Sequence, residues 1–102
     1  MKLRSRAETI LRSLAECTEP ITRRSLVERS GLANDNLTPE LGATDSRIRL
    51  QYEGQPGKDG YTADNDGRSL IGLELIGTAK MQAGSRVDDV FWITEKGRKL
   101  LG

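Results

Sequence analysis

The stretch VFWITEKGRKLLG, Val90 to Gly102, changes its period in mid-course. Val90, Trp92 and Thr94 alternate with Phe91 and Ile93, which is strand spacing with apolar groups on both faces. At Thr94-Glu95 the pattern turns helical: a threonine suited to cap, an acid in the first turn, then Leu100 and Leu101 to pack back. Immediately upstream, residues 78–83 predict a partner strand for 89–94 across the polar turn AGSRVDD. A ribbon that hands over to a closing helix is therefore the expected end of the fold.

The other end reads as two helices. Over residues 5–16, Ala7, Ile10, Leu11 and Leu14 fall on one 3.6-residue stripe. Ser5 with Glu8 has the spacing of a capping box, and Thr18-Glu19-Pro20 stops the helix. Residues 22–30 predict a second helix with Thr22 as cap, Leu26 and Val27 as its apolar stripe, and Gly31 as a left-handed end followed by the apolar contact Leu32. Ile21 is placed as a staple or a one-residue strand.

Residues 33–68 support competing readings. Thr38-Pro39-Glu40-Leu41 has a helix start, and a helix over about 38–45 is expected. Leu41, Ile48 and Tyr52 share a helical face, yet Arg47 to Glu53 alternates as a strand would. GQPGKDGYTADNDG is turn chemistry and predicts an exposed loop or hairpin tip. RSLIGLELI, 68–76, suits a helix capped by Asp64 or Asp66, or a strand through Ile71, Leu73 and Leu75.

The chain has 102 residues, 35% hydrophobic and 4% aromatic, room for one modest core. It has no histidine and one cysteine, Cys17, which removes the usual neutral-pH base and cysteine-based zinc chemistry. The thiol has no histidine to activate it and reads as a small hydrophobe. No apolar run approaches the ~18 residues that span a bilayer, and the charged start has no signal-peptide core behind it. A reduced, cytoplasmic protein is expected. The net charge of +1 conceals an asymmetry: residues 1–30 hold seven Lys/Arg against four Asp/Glu, and residues 31–46 hold three acids and no base. Eleven of the sixteen basic residues are arginine, the side chain best matched to phosphate and guanine.

The segment ending in Trp92, Ile93, Thr94, Gly97, Arg98, Leu100 and Leu101 resembles the end of the wing in winged helix-turn-helix regulators of the MarR and PadR kinds. Upstream, GTAKMQAGSRVDD is similar to their turn, strand and wing tip, with Gly77 resembling the glycine that closes the recognition helix. ILRSLAECTEPITRRSLVERSGL resembles their first two helices. The resemblance covers about half the chain. It implies an α+β, mainly α fold: a three-helix bundle with a small antiparallel β wing and a short C-terminal helix. It further implies a single winged-helix domain over 1–102, with an irregular or inserted segment at about 33–64. Counting back from Gly77 puts the recognition helix near 65–76; the alternative is a third helix at 38–52 with 69–76 as a long wing strand.

The expected function is binding of double-stranded DNA, as a small transcriptional regulator and a possible homodimer through its first helix or wing face. The alternative is a protein–protein interaction module, a phage or accessory protein, using this fold without DNA. Near-neutral charge and the acidic middle favour that alternative. Arg23 and Arg24, in the first turn of the second helix, suit phosphate, and the competing reading is a solvated helix face. Lys2, Arg4 and Arg6 read as a minor-groove arm or a frayed terminus. Lys80 and Arg86 flank the wing, where Asp88 and Asp89 can pair with Arg86 instead. Arg47 and Arg49 would share a strand face or splay on a helix. Arg68 and Ser69 would open the later recognition helix, Arg68 toward guanine and Ser69 toward phosphate. Asp35, Glu40 and Asp45 read as a solvated loop and cap set. GQPGKDG lacks the phosphate-loop pattern, since Asp59 follows Lys58 and Tyr52 stands where the first glycine belongs. Trp92 and Phe91 read as core, Trp92 with a possible dimer role. No nucleophile, base and orienter set is legible, so no enzyme activity, cofactor, metal or membrane association is expected.

Overall fold

In the computed structural model, which describes residues 1–55 and 60–102, the N-terminal stripe is wound into helix α1 (Ser5–Ala15). Ala7, Ile10, Leu11 and Leu14 are all buried, none more than 1% exposed. The expected capping box does not form. Arg4 is the cap residue without a side-chain bond, and Glu8 instead accepts from Arg12 one turn on, at 2.8 Å. Pro20 ends the descent from α1. Ile21–Thr22 is a short strand, β1, and leads directly into α2 (Arg23–Ser30). Thr22 caps α2 by accepting the Ser25 N–H at 3.2 Å, and Gly31 closes it with φ +74°. Leu26 is buried, and Val27 and Leu32 pack beside it against the core.

The middle of the chain departs most from expectation. After a single 3₁₀ turn, Asn34–Asn36, α3 spans only Thr38–Leu41. Gly42, at φ +94°, breaks it; a Cβ there would strike the Ser69 side chain. Thr38 lies inside α3 rather than capping it. Asp45 then starts α4 (Ser46–Tyr52) by accepting the Arg47 N–H at 2.9 Å. The strand reading of 47–53 fails because Ile48, Leu50 and Tyr52 are all exposed, so no buried sheet face selects a period of two. Glu40 is not solvated: it is 3% exposed. Within the irregular segment expected at about 33–64, Leu37, Leu41, Tyr61, Ala63 and Asp64 are buried. The exposed-loop expectation therefore fails over 61–64. Residues 56–59, and with them the Lys58-Asp59 part of the rejected phosphate-loop reading, lie outside the described residues.

Residues 65–75 form turns and irregular chain, neither a recognition helix nor a strand, and only Ile76 of the expected 69–76 strand belongs to one. The apolar side chains Leu70, Leu73 and Leu75 are buried as a helix or strand would bury them. The backbone bonds partly within the turn, Leu73 N–H to the Ser69 carbonyl at 2.9 Å and Leu75 N–H to the Leu70 carbonyl at 3.1 Å, and partly outside it. Asp64 accepts the Asp66 and Arg68 N–H groups at 2.9 and 3.1 Å. The Leu70 and Ile71 N–H groups donate to the Glu40 and Leu41 carbonyls at 2.8 and 3.1 Å. Glu53 accepts both the N–H and the hydroxyl of Ser69, at 2.6 and 2.8 Å. These bonds stand in for most of an i→i−4 ladder and tie the turn to α3 and the end of α4.

Strands β2 (Ile76–Ala83) and β3 (Arg86–Ile93) form the expected ribbon, each longer than its sequence pattern. The sheet is antiparallel with order β1-β3-β2: Ile21 pairs with Phe91, and Ile76 with Ile93. Gly77 closes no helix; it sits in β2 opposite Trp92, whose indole fills the space a Cβ would need. Ile76, Phe91 and Ile93 turn toward α1 and join one core with Leu11, Leu14 and Leu70. The terminal helix α5 (Glu95–Leu101) is capped as expected, with Thr94 accepting the Gly97 N–H at 3.1 Å. The described residues thus make an α+β body with five α-helices and a three-stranded antiparallel sheet. None of the helices among them is long and apolar enough to cross a membrane.

Gly97 gives a test of this packing. Helix propensity alone makes Gly→Ala stabilising by about 1 kcal/mol. A Cβ at Gly97 would overlap the Leu75 carbonyl oxygen, with the Ile93 side chain close behind. Gly97→Ala is therefore expected to destabilise by about 1–3 kcal/mol, the cost of overpacking. Denaturant unfolding measures this, and a stabilised variant would contradict the docking of α5. Leu14→Ala is expected to cost about 2–5 kcal/mol in the same assay.

Candidate functional site

Because Thr22 is both the last residue of β1 and the cap of α2, the first turn of α2 is held at the flank of β3. Thr22, Arg23 and Arg24 line one side of a cleft of about 350 Å³, and Arg86, Val87, Asp88 and Asp89 of β3 line the other. Beyond the cleft the ribbon stands clear of the body: Ala79–Ala83 of β2 and Arg86 and Val87 of β3 are all exposed. The structure thus brings three of the anticipated basic residues, Arg23, Arg24 and Arg86, around one depression.

Their availability differs. Arg23 is spent internally: it donates to the Asn34 side chain at 2.7 Å, to the Asn34 carbonyl at 3.1 Å and to the Thr38 hydroxyl at 2.6 Å. It holds the 3₁₀ turn and the start of α3 against α2. Arg24 projects into solvent, 89% exposed, with Glu28 at 3.9 Å on the same helix. Such an exposed pair is worth little and opens readily. Arg86 lies 3.4 Å from Asp88, the pairing read from their proximity in sequence. Lys80 lies 2.9 Å from Asp89, and Asp89 also accepts from Thr44 at 3.2 Å, so this carboxylate fastens the α3–α4 connection to the ribbon.

The remaining anticipated residues are not gathered there. Arg47 is on α4, 90% exposed, with Asp45 at 3.6 Å. Arg49 splays away from it, as helical spacing requires. It folds back to donate to the Ala43 carbonyl at 3.0 Å, leaving its Nε buried and without a partner among the described residues. Arg68 is exposed on the irregular turn. Ser69 is fully buried, and its hydroxyl both donates to Glu53 and accepts the Gly72 N–H at 2.9 Å. It opens no helix and faces no solvent, which corrects its placement as a surface contact. Trp92 is half-buried, and Cys17 is half-buried with its thiol donating to the Ser13 carbonyl at 3.4 Å. The N-terminal arm is anchored at Arg4, whose N–H donates to the Ala63 carbonyl at 2.9 Å.

Two polar residues had no clear signal. Glu53 enters the sequence reading only as the end of the alternation from Arg47, yet the room for its carboxylate is left by Gly72, and only the tertiary approach of the two shows it. Glu40 reads as a first-turn acid. Its burial pushes its carboxyl up above the usual range, against the opposing pull of the Thr62 hydroxyl, at 2.9 Å, and of Arg6 and Arg4.

The consequence for stability has a definite sign. A raised carboxyl binds its proton more tightly in the folded state. Its contribution is fully present below the ordinary glutamate pKa of about 4.3 and is lost as pH rises through the raised value. Glu40→Gln removes this titration. The stability of the parent relative to Glu40→Gln should fall as pH rises from about 4.3 toward 7. Melting temperatures of the two proteins across that range measure it, and a constant or opposite difference would contradict the burial of an ionisable Glu40.

No family model matches the chain, and neither curated proteins nor solved structures give a match to it.

Proposed function

We propose that this chain is a small double-stranded DNA-binding protein of winged helix-turn-helix architecture, acting as a transcriptional regulator and not as an enzyme. One observation carries the reading. The β1-β3-β2 order, with α2 launched directly from β1, sets Arg23 and Arg24 beside the base of a ribbon whose outer half is solvated. An exposed two-stranded ribbon beside a cationic helix start offers a duplex a strap and a phosphate clamp.

Within this reading the arginines divide their work. Arg24 is the leading phosphate contact, because its guanidinium is exposed and its pairing is weak. Arg23 is a positioning residue that fixes the adjacent turn. Arg86 and Lys80 reach phosphate only by exchanging Asp88 and Asp89 for it. The helix that follows α2 toward solvent is α4, and Arg47 is its outward cation. Arg68 is a further exposed cation. A dimer matches the two-fold symmetry of most operators.

A second reading has its own observation. Ile48 and Tyr52, one turn apart on α4, are 49% and 42% exposed, and Leu50, on another side of the same short helix, is 67% exposed; side chains of this kind suit a protein partner better than a phosphate backbone. The same architecture would then serve as an interaction module.

Fluorescence anisotropy with a random-sequence duplex across a salt series separates the two. Under the DNA reading, log affinity falls with log salt at about −0.9 per phosphate neutralised, and Arg24→Ala flattens the slope by about 0.9 at every sequence. Arg23→Ala is expected to lower thermal stability as well as affinity, since it releases the Asn34 turn. An absence of binding at low salt, or an Arg24→Ala slope equal to the parent's, would overturn the DNA reading.

A further inference from the structure

A second recess, away from the ribbon, is lined by Arg4, Ser5, Arg6, Glu40 and Thr62 and has a volume of about 230 Å³. Glu40 is its floor, 3% exposed, while Arg4, Ser5 and Arg6 at the start of α1 are its exposed rim. One carboxylate oxygen of Glu40 accepts from the Thr62 hydroxyl at 2.9 Å. The other, Oε2, is buried and meets no donor among the described residues. Leaving a buried charged acceptor unsatisfied is costly, and such groups in folded proteins call for an explanation. The neighbouring guanidiniums do not supply one. Arg4 donates to the Asn65 side chain at 3.1 Å and Arg6 to the Asn36 side chain at 3.3 Å, both neutral amides. Neither arginine has an ion pair among the described residues.

We infer that this recess binds a small zwitterion of the amino-acid class, its ammonium on Glu40 and its carboxylate on the Arg4–Arg6 rim. An ammonium carries three donors and no acceptor, matching a carboxylate oxygen that lacks a donor. A carboxylate takes guanidinium donors in a fork, and both rim arginines give up only an amide bond to receive it. The pairing also discriminates. A simple anion meets Glu40, a simple cation meets Arg4 and Arg6, and only a ligand with both charges satisfies both. The volume lies below the ~300–1,000 Å³ of drug-sized pockets, which limits the ligand to about the size of an amino acid. This site does not depend on the DNA reading, and it shares no residue with the ribbon cleft.

Titration of isotope-labelled whole chain by NMR, with glycine, β-alanine and the standard L-amino acids as probes, tests it. At least one probe should give saturable shifts confined to the amides of Arg4, Ser5, Arg6 and Thr62. Propionate and ethylammonium, which each carry half the charge pattern, should give none that saturate over the same range. Glu40→Gln and Arg6→Ala should each weaken the bound probe about tenfold or more, a loss of about 1.4 kcal/mol. Arg6 is exposed, so its variant keeps the test decisive if the core substitution fails to fold. No saturable, localised shift with any probe, saturation by propionate or ethylammonium alone, or an affinity unchanged in the folded variants would each overturn the assignment.

Discussion

Phe91 is the largest of the fully buried side chains, and it lies on the central strand of the sheet, paired with Ile21 on one side and Thr78 on the other. Side chains alternate along a strand, so a slip of one residue would eject Phe91 and drive Trp92 into the core. The register is pinned by fit. Trp92 covers the bare backbone of Gly77 on one face, while Phe91, Ile76 and Ile93 enter the core on the other. Three further elements take their place from this arrangement. β1 is set by its pairing to β3, α2 starts where β1 ends, and α5 is fastened by Thr94, whose N–H donates to the Leu75 carbonyl at 3.1 Å and whose hydroxyl donates to the Glu74 carbonyl at 2.7 Å.

The ends of the chain were mostly legible because there local chemistry and tertiary burial agree; Leu101 packs back as expected, while Leu100 stays exposed. The stripe of α1, the Thr22 and Thr94 caps, the Gly31 terminus and the alternation through Phe91 each name a local structure that the core then uses. The middle was less legible because several of the bonds that fix it are tertiary. The apolar pattern of 68–76 predicts correctly that Leu70, Leu73 and Leu75 are buried, but the polar groups that satisfy this segment are Glu53, Asp64 and the carbonyls of Glu40 and Leu41. No periodicity within the segment encodes partners up to thirty residues upstream. Ser69 is misread for the same reason: a serine following an arginine looks like a helix start until Glu53 is seen above it.

The candidate surface was legible in kind more than in detail. Sequence placed Arg23 and Arg24 in one helical turn, and the fold does set them opposite Arg86. Sequence could not show that Arg23 is committed to Asn34 and Thr38, or that Asp89 serves as a joint between the ribbon and the α3–α4 connection. A guanidinium already holding three acceptors is a structural element, whereas one that is 89% exposed beside a distant glutamate remains open to a new anion. Net charge of +1 is therefore a poor guide to this surface, because what matters is which cations are already neutralised by near neighbours.

The central claim, that the α2 start and the ribbon together form the surface that engages duplex DNA, is tested most directly by an amide-shift footprint with a short random duplex at low salt. Shifts concentrated at Arg23 and Arg24 and along 80–88, with α4 perturbed less than either, are the expected result. A footprint centred on Ile48, Leu50 and Tyr52, or no footprint at all, would contradict it.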